Sequence, residues 1–215
     1  MFRTGSQKVL LALALAAAGS AHASAPLLAE GFDDVTSLFS SGWVSTNLSS
    51  PAGSTGWFQG SGFQFAAQAG GEDSYAAANF NSGVDGGLVD NWLITPTFST
   101  AQAGVVSLWL KGSVDPGYSD TVKFGFSNGS ADTSSFTTGT AVAAVGDWTQ
   151  YSFAFAAGGA GSVGRFAIEY TGAASNLDYV GIDSLSVSAV PEPGTWLMFG
   201  LGAMGLLAAR RRQAR

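Results

Sequence analysis

The centre of the chain alternates between apolar and polar residues with a period of two. The pattern is clearest over residues 106–111, 122–126, 151–155 and 165–170, where aromatic and β-branched residues take every second position. Such alternation is typical of half-buried β-strands, and the intervening clusters of Gly, Pro, Asn and Asp are typical of turns. No segment of the body has a convincing helical period. We therefore predict an all-β fold, an antiparallel sandwich of about ten strands, in a jelly-roll rather than an immunoglobulin arrangement.

The last predicted strand contains a break in this alternation. Val180 and Ile182 are apolar at even positions, whereas Leu185 and Val187 are apolar at odd positions. A shift of one residue turns every later side chain to the opposite face, so an extra residue must be absorbed between the two pairs. The sequence therefore predicts a β-bulge near Asp183-Ser184, which re-aims the carboxylate.

The opening of the body is acidic. Glu30, Asp33 and Asp34 lie within five residues on the predicted first strand. The ends of a domain often lie close together, and first and last strands are often neighbours in sandwiches of this kind. We therefore expect Glu30 and Asp33 to converge with Asp183.

The first 23 residues have the three parts of a secretory signal peptide. Arg3 and Lys8 supply the positive region, residues 9–18 the apolar run, and Ala21-His22-Ala23 the cleavage site. Ten apolar residues are too few to span a bilayer. We expect signal peptidase to cleave after Ala23, with a short N-terminal anchor as the alternative.

The last segment, residues 190–215, differs in character from the body. Pro191, Glu192 and Pro193 interrupt regular structure, an apolar segment follows at 195–209, and the cluster Arg210-Arg211-Arg212 comes next. A fifteen-residue helix reaches only about 22 Å, less than the roughly 30 Å of a hydrocarbon core. The spacing alone leaves a short anchor and an amphiphilic tail both open, while the arginines predict a cytoplasmic C-terminus.

This segment consists of the tripeptide, a glycine-bearing apolar helix and the arginine cluster, in that order. The arrangement resembles the PEP-CTERM sorting signal of Gram-negative bacteria. The resemblance implies that residues 190–215 contain a transmembrane helix and that exosortase, a membrane processing enzyme, recognises Pro191-Glu192-Pro193. It also implies an exported protein that is held transiently in the inner membrane and ends at the cell surface or in an exopolysaccharide matrix. An ordinary C-terminal anchor after two prolines is the alternative.

The body, residues 24–189, carries a second resemblance. Three segments are involved: Glu30-Gly31-Phe32-Asp33, Asp90-Asn91-Trp92-Leu93-Ile94-Thr95-Pro96 and Tyr179-Val180-Gly181-Ile182-Asp183-Ser184-Leu185. They resemble the choice-of-anchor J domain, which is related to the cleaved-adhesin and MAM-type jelly rolls of surface proteins. The resemblance covers about residues 29–188 and implies an adhesive or structural role.

The same resemblance implies a calcium site. In the related adhesin modules an ion joins the opening acidic segment to a closing pair of acids, and Ser184 replaces one of that pair here. The candidate ligands are Glu30, Asp33, Asp90 and Asp183. Calcium takes six to eight oxygen ligands, and these segments offer oxygen without sulfur or imidazole, which disfavours zinc and copper. The alternative is that these acids cap turns and solvate strand ends.

Charge and composition exclude several functions. The body has three cations and fourteen acids, a net charge of about −11, which repels nucleic acid. The chain has no cysteine, and its only histidine, His22, belongs to the signal peptide. Nucleophile–histidine catalysis is therefore excluded, and no spacing singles out a carboxylate pair. We predict that the protein is not an enzyme.

A carbohydrate-binding module is the alternative to an adhesive or structural role. Trp109 has the parity opposite to Val106, Leu108 and Leu110, so its ring lies on the outer face of the predicted sheet. If that face is exposed to solvent, Trp109 would stack on sugar rings together with aromatic residues of a glycine-rich loop, such as Trp57 and Phe58. If a loop covers that face, Trp109 is a packing residue.

Overall fold

A computed structural model of the protein describes residues 25–190. The predicted signal peptide (1–23), the tripeptide Pro191-Glu192-Pro193, the apolar segment at 195–209 and the arginine cluster lie outside the described residues. Within residues 25–190, no helix has the length and apolar character needed to cross a membrane.

The described chain folds into two antiparallel β-sheets, as the alternation predicts. The first sheet contains six strands: β1 (Leu28–Glu30), β4 (Phe58–Gln59), β5 (Ala76–Asn79), β8 (Gly104–Gly112), β12 (Thr149–Phe155) and β14 (Tyr179–Ala189). Their order is β12-β8-β14-β5-β4, with β1 paired to β14. Strand β12 is therefore at one edge of the sheet, and β8 and β14 are inner strands.

The second sheet contains eight strands: β2 (Val44–Asn47), β3 (Ser50–Ala52), β6 (Gly83–Ile94), β7 (Phe98–Ser99), β9 (Thr121–Ser127), β10 (Thr137–Thr138), β11 (Val142–Ala143) and β13 (Val163–Ala173). Their order is β10-β9-β13-β6-β2, and β11, β3 and β7 add short pairings to β9, β6 and β13. The strand count exceeds the predicted ten because β4, β7, β10 and β11 are only two residues long.

The core lies between the sheets and follows the predicted parity. On β8, Val106, Leu108 and Leu110 are buried, and the residues between them are half-buried. The ring of Phe124 on β9 lies 4.7 Å, centroid to centroid, from that of Phe153 on β12 and so joins the two sheets. Each buried side chain of this size contributes roughly 1.5–3 kcal/mol, so a register slip that exposed one face would be costly.

Within residues 25–190, helical structure is limited to single turns. One α-helix, α1 (Val35–Leu38), follows β1, and the Asp34 carboxylate caps it by accepting the N–H groups of Thr36 and Ser37. Short 3₁₀ turns occupy Phe39–Ser41, Phe80–Ser82, Thr133–Ser135 and Ala174–Asn176. The first strand ends at Glu30, so the prediction that Asp33 and Asp34 lie on it is wrong.

The first and last strands are hydrogen-bonded neighbours, as expected. Leu28 lies opposite Val187 in the β1–β14 pair. The register between β14 and β8 shifts between Asp183 and Ser186, and Ser184 has a φ of 51°, so the predicted bulge is confirmed. Because β1 and β14 are antiparallel, the chain enters and leaves the sandwich at the same end.

Candidate functional site

A cleft of about 970 Å³ lies at the opposite end of the sandwich, where β8 ends and β14 begins. Four segments, made of loops and adjoining strand ends, line it near residues 52–54, 80–85, 115–118 and 174–178. Its volume is at the upper end of the roughly 300–1,000 Å³ that ligand pockets occupy. This cleft is therefore the candidate functional site.

Asp120, a carboxylate that is only 2% exposed, holds the chain at Asp178, one of the residues that line the cleft. One oxygen accepts the hydroxyl of Tyr170 at 2.6 Å and the N–H of Asp178 at 2.8 Å, and the other accepts the N–H of Tyr179 at 3.2 Å. Burial, with the Asp120 charge beside it, holds the pKa of the Tyr170 hydroxyl far above its usual value, so this hydroxyl is a donor. The network ties the loop after β8 to the start of β14.

Backbone hydrogen bonds connect the walls to one another. The N–H of Phe80 donates to the carbonyl of Asp178 at 3.0 Å, and that of Ser119 donates to Asn176 at 2.8 Å. The N–H of Ser54 donates to the carbonyl of Asn81 at 2.9 Å. The four regions, far apart in sequence, therefore form one braced rim.

The rim combines aromatic rings with carboxylates. Phe80 is 43% exposed and Tyr118 is 52% exposed, although both line a concave surface. Asp85, Asp115 and Asp178 are on the same lining. Partial burial raises the pKa of Asp178, and the neighbouring carboxylates of Asp115 and Asp120 raise it further. The cleft is therefore strongly negative and presents apolar ring faces to solvent.

The carboxylates predicted as ligands lie elsewhere, and Asp183 is the most extensively hydrogen-bonded of them. It is fully buried, and one carboxylate oxygen accepts the N–H groups of Gln68 and Ala69 at 2.8 and 3.0 Å. The other oxygen accepts the N–H of Ser184, whose hydroxyl donates to the side chain of Gln68. Burial nevertheless raises the pKa of Asp183. This carboxylate clamps the loop at 68–69 onto the bulge of β14.

Glu30 and Asp33 lie near the same region, whereas Asp90 does not. One carboxylate oxygen of Asp33 lies 3.1 Å from where a Cβ on Gly70 would stand. Glu30 accepts the N–H of Phe32 on its own segment. Asp90 belongs to β6 in the other sheet, where it accepts the indole N–H of Trp92. The structure thus brings Asp33 towards the loop that Asp183 holds and excludes Asp90 from the group.

These carboxylates do not form the four-acid shell that the resemblance implied. Within residues 25–190, no three His, Cys, Asp or Glu side chains are grouped so that they could hold a metal ion. Both oxygens of Asp183 accept N–H groups, which accounts for the position of this carboxylate at the bulge. Calcium stays a prediction from the sequence, and the structure offers hydrogen bonding as another role for Asp183.

The two tryptophans predicted to stack on sugars differ in environment. Trp57 is only 5% exposed and its indole N–H donates to the carbonyl of Asn91, so the prediction that it presents a ring to ligand is wrong. Trp109 lies on the outer face of the first sheet, as predicted, and is half-buried there. Its neighbours across the sheet are Gln150 on β12 and Asp183 on β14.

An aromatic cluster covers part of that outer face. Phe65 stacks on Tyr75 with ring centroids 5.0 Å apart, and Trp148 meets Phe65 edge-on at 5.6 Å. The ammonium of Lys111 lies 4.9 Å from the centre of the Phe65 ring. These contacts hold a loop against the sheet. The sequence pattern did not indicate them, because Phe65 lies in a loop without periodic secondary structure.

The sandwich is a fold shared with adhesin domains of known structure. The K1 cleaved adhesin domain of Lys-gingipain from Porphyromonas gingivalis W83 superimposes with a TM-score of 0.57 at 18% identity, covering 76% of this chain and 98% of that one. The K3 domain of the same protein gives 0.55 at 17% identity, covering 77% and 99%. At such identities the likeness establishes the fold. Among curated proteins, none matches the chain in sequence.

The C-terminal segment provides a separate match. Residues 189–212 match the family model described as the PEP-CTERM protein-sorting motif, so the first resemblance is confirmed. The protein is therefore a β-sandwich with the fold of those adhesin domains, and its C-terminal segment matches a PEP-CTERM sorting motif.

Proposed function

We propose that the protein is an exported surface or exopolysaccharide-matrix component with an adhesive or structural, non-catalytic role. Signal peptidase removes residues 1–23, the segment at 195–209 anchors the chain transiently in the inner membrane, and exosortase processes it at Pro191-Glu192-Pro193. The observation that carries the proposal is the sorting motif at 189–212.

The position of the motif relative to the sandwich supports this order of events. The last strand, β14, ends at Ala189, and the N–H of Val190 donates to the carbonyl of Ala103 at 2.8 Å. Every strand of both sheets therefore precedes the tripeptide. Processing there would separate the tail from the domain without removing any strand from a sheet.

The proposal is tested by changing the acid of the tripeptide. We expect Glu192→Ala to leave export and signal-peptide removal intact but to stop loss of the tail in a host that makes exosortase. Intact-mass spectrometry of the protein measures the mature C-terminus directly. Glu72→Ala, at an exposed loop acid, is the matched control and should be processed as the wild type is. Normal tail loss from Glu192→Ala would refute the proposal.

A further inference from the structure

The end cleft has a lining that fits a particular ligand chemistry. We propose that it binds amino-sugar units of a polysaccharide, that is, hydroxyl-bearing rings with a free ammonium group. Tyr118 and Phe80 hold the ring face, while Asp85, Asp115 and Asp178 accept hydrogen bonds from the ammonium and hydroxyl groups. The inference deepens the proposed surface role and rests on it only for access to an extracellular glycan.

The charges of the described residues favour a cation in this cleft. The three carboxylates at its lining have no basic side chain beside them. The cations within residues 25–190 are placed elsewhere: Lys123 pairs with Glu169 at 3.0 Å, Arg165 donates to the carbonyls of Gly129 and Thr95, and Lys111 lies over Phe65. An anionic glycan or a phosphate is repelled by such a lining, whereas an ammonium group is attracted.

The aromatic rings point to the same ligand. Within residues 25–190 four aromatic side chains are exposed, and two of them, Phe80 and Tyr118, are on this one lining. Aromatic faces attract ammonium groups through cation–π interaction, and a charged hydrogen bond to a carboxylate is stronger than a neutral one. Exposed rings beside carboxylates thus favour a ligand with both an apolar face and a positive charge.

The remaining polar groups favour a sugar over a basic peptide. The hydroxyls of Ser54 and Ser175 and the amide of Asn81 lie on the lining together with the acids. They match ring hydroxyls spread along a cleft of about 970 Å³, whereas a lysine side chain offers a single ammonium group. Hydrogen bonds already join the four lining segments to one another. Binding therefore requires little further ordering of the backbone, and this lowers the entropic cost of binding.

Isothermal titration of the purified full-length chain in mild detergent tests the proposal. The probes are a glucosamine hexasaccharide, its N-acetylated counterpart, a cello-oligosaccharide, polygalacturonate and polylysine. We expect the glucosamine oligomer to bind, its N-acetylated form to bind at least about tenfold more weakly, and added salt to weaken binding. Tyr118→Ala and Asp115→Asn should each weaken binding about tenfold.

Matched controls lie outside the cleft. Phe63→Ala removes the most exposed aromatic ring and Asp147→Asn an exposed acid, and both should bind as the wild type does. Four results would overturn the proposal: no binding at millimolar oligosaccharide, equal binding of the N-acetylated form, tighter binding of polylysine, or a loss of binding confined to Trp109→Ala. Tail processing is scored separately on Glu192→Ala, so failure of either claim leaves the other measurable.

Discussion

Removal of the Asp120 carboxylate should strongly destabilise the sandwich, because three donors converge on it. The hydroxyl of Tyr170 and the N–H of Tyr179 belong to buried residues, so water cannot replace their acceptor. The third donor, the N–H of Asp178, belongs to a half-exposed residue and is more easily hydrated. The cost of Asp120→Ala is therefore set mainly by two buried donors.

The magnitude follows from that count. An unsatisfied buried donor costs about 1–3 kcal/mol, so Asp120→Ala should lower the free energy of unfolding by about 4 kcal/mol. For a domain of this size each kcal/mol shifts the melting temperature by about 2–4 °C, so the expected fall is about 8–16 °C. Domains of this kind are stable by only about 5–15 kcal/mol in total, so the variant should still fold but at a narrow margin.

The assay is thermal unfolding of the full-length chain followed by near-ultraviolet circular dichroism. Tyr170→Phe removes one donor together with its need for an acceptor, so Asp120→Ala combined with Tyr170→Phe should lose less than the sum of the two single changes. Asp147→Ala, at an exposed position, should stay within about 0.5 kcal/mol of the wild type. We expect Asp120→Ala to lose about 4 kcal/mol of unfolding free energy, and a melting temperature within about 2 °C of the wild type would refute that expectation.

Two further predictions concern Asp183. Burial raises the pKa of Asp183 above its ordinary value of 3.8, so the folded state binds the proton more tightly than the unfolded state does. The contribution of this group to stability is therefore present at low pH and is lost as the pH rises from 3.8 through the folded-state pKa. Asp183→Asn should remove that slope from melting curves taken in steps across the window, and superimposable pH profiles for variant and wild type would contradict this. Melts with millimolar calcium and with chelator test the predicted calcium site: if Asp183 acts only through the N–H groups that its two oxygens accept, the two melts should coincide. A calcium-dependent rise of about 2.7 kcal/mol, expected for an ion at 100 times its Kd, would instead confirm the calcium site that the resemblance implied.

The parts of the fold that sequence could predict are those with a simple period. The alternation on β8 assigned inner and outer faces because one face is buried along its whole length. The change of parity between Ile182 and Leu185 located a bulge because the side-chain period of a strand allows no other account. In both cases a local pattern carries the information.

The candidate site could not be predicted in the same way. The cleft is made of four segments, in loops and at strand ends, that approach only when the two sheets pack, and Phe80 and Tyr118 belong to no periodic segment. Asp115 belongs to the sequence Asp115-Pro116-Gly117, which by itself indicates only a turn. The prediction for Trp57 was wrong because the residues around it in sequence do not indicate whether its ring is buried. Its indole N–H donates to the carbonyl of Asn91, which is remote in sequence.

The placement of the chain ends gives the sandwich a mechanical axis. Strand β14 runs from Tyr179, next to the cleft, to Ala189, next to the sorting motif, a distance of about 33 Å, and is hydrogen-bonded to neighbours on both sides. A pull on the C-terminus against a ligand held in the cleft would load those hydrogen bonds in shear, all at once, rather than peel them apart one by one. The strand next to the sorting motif is therefore built to resist being drawn out of the domain.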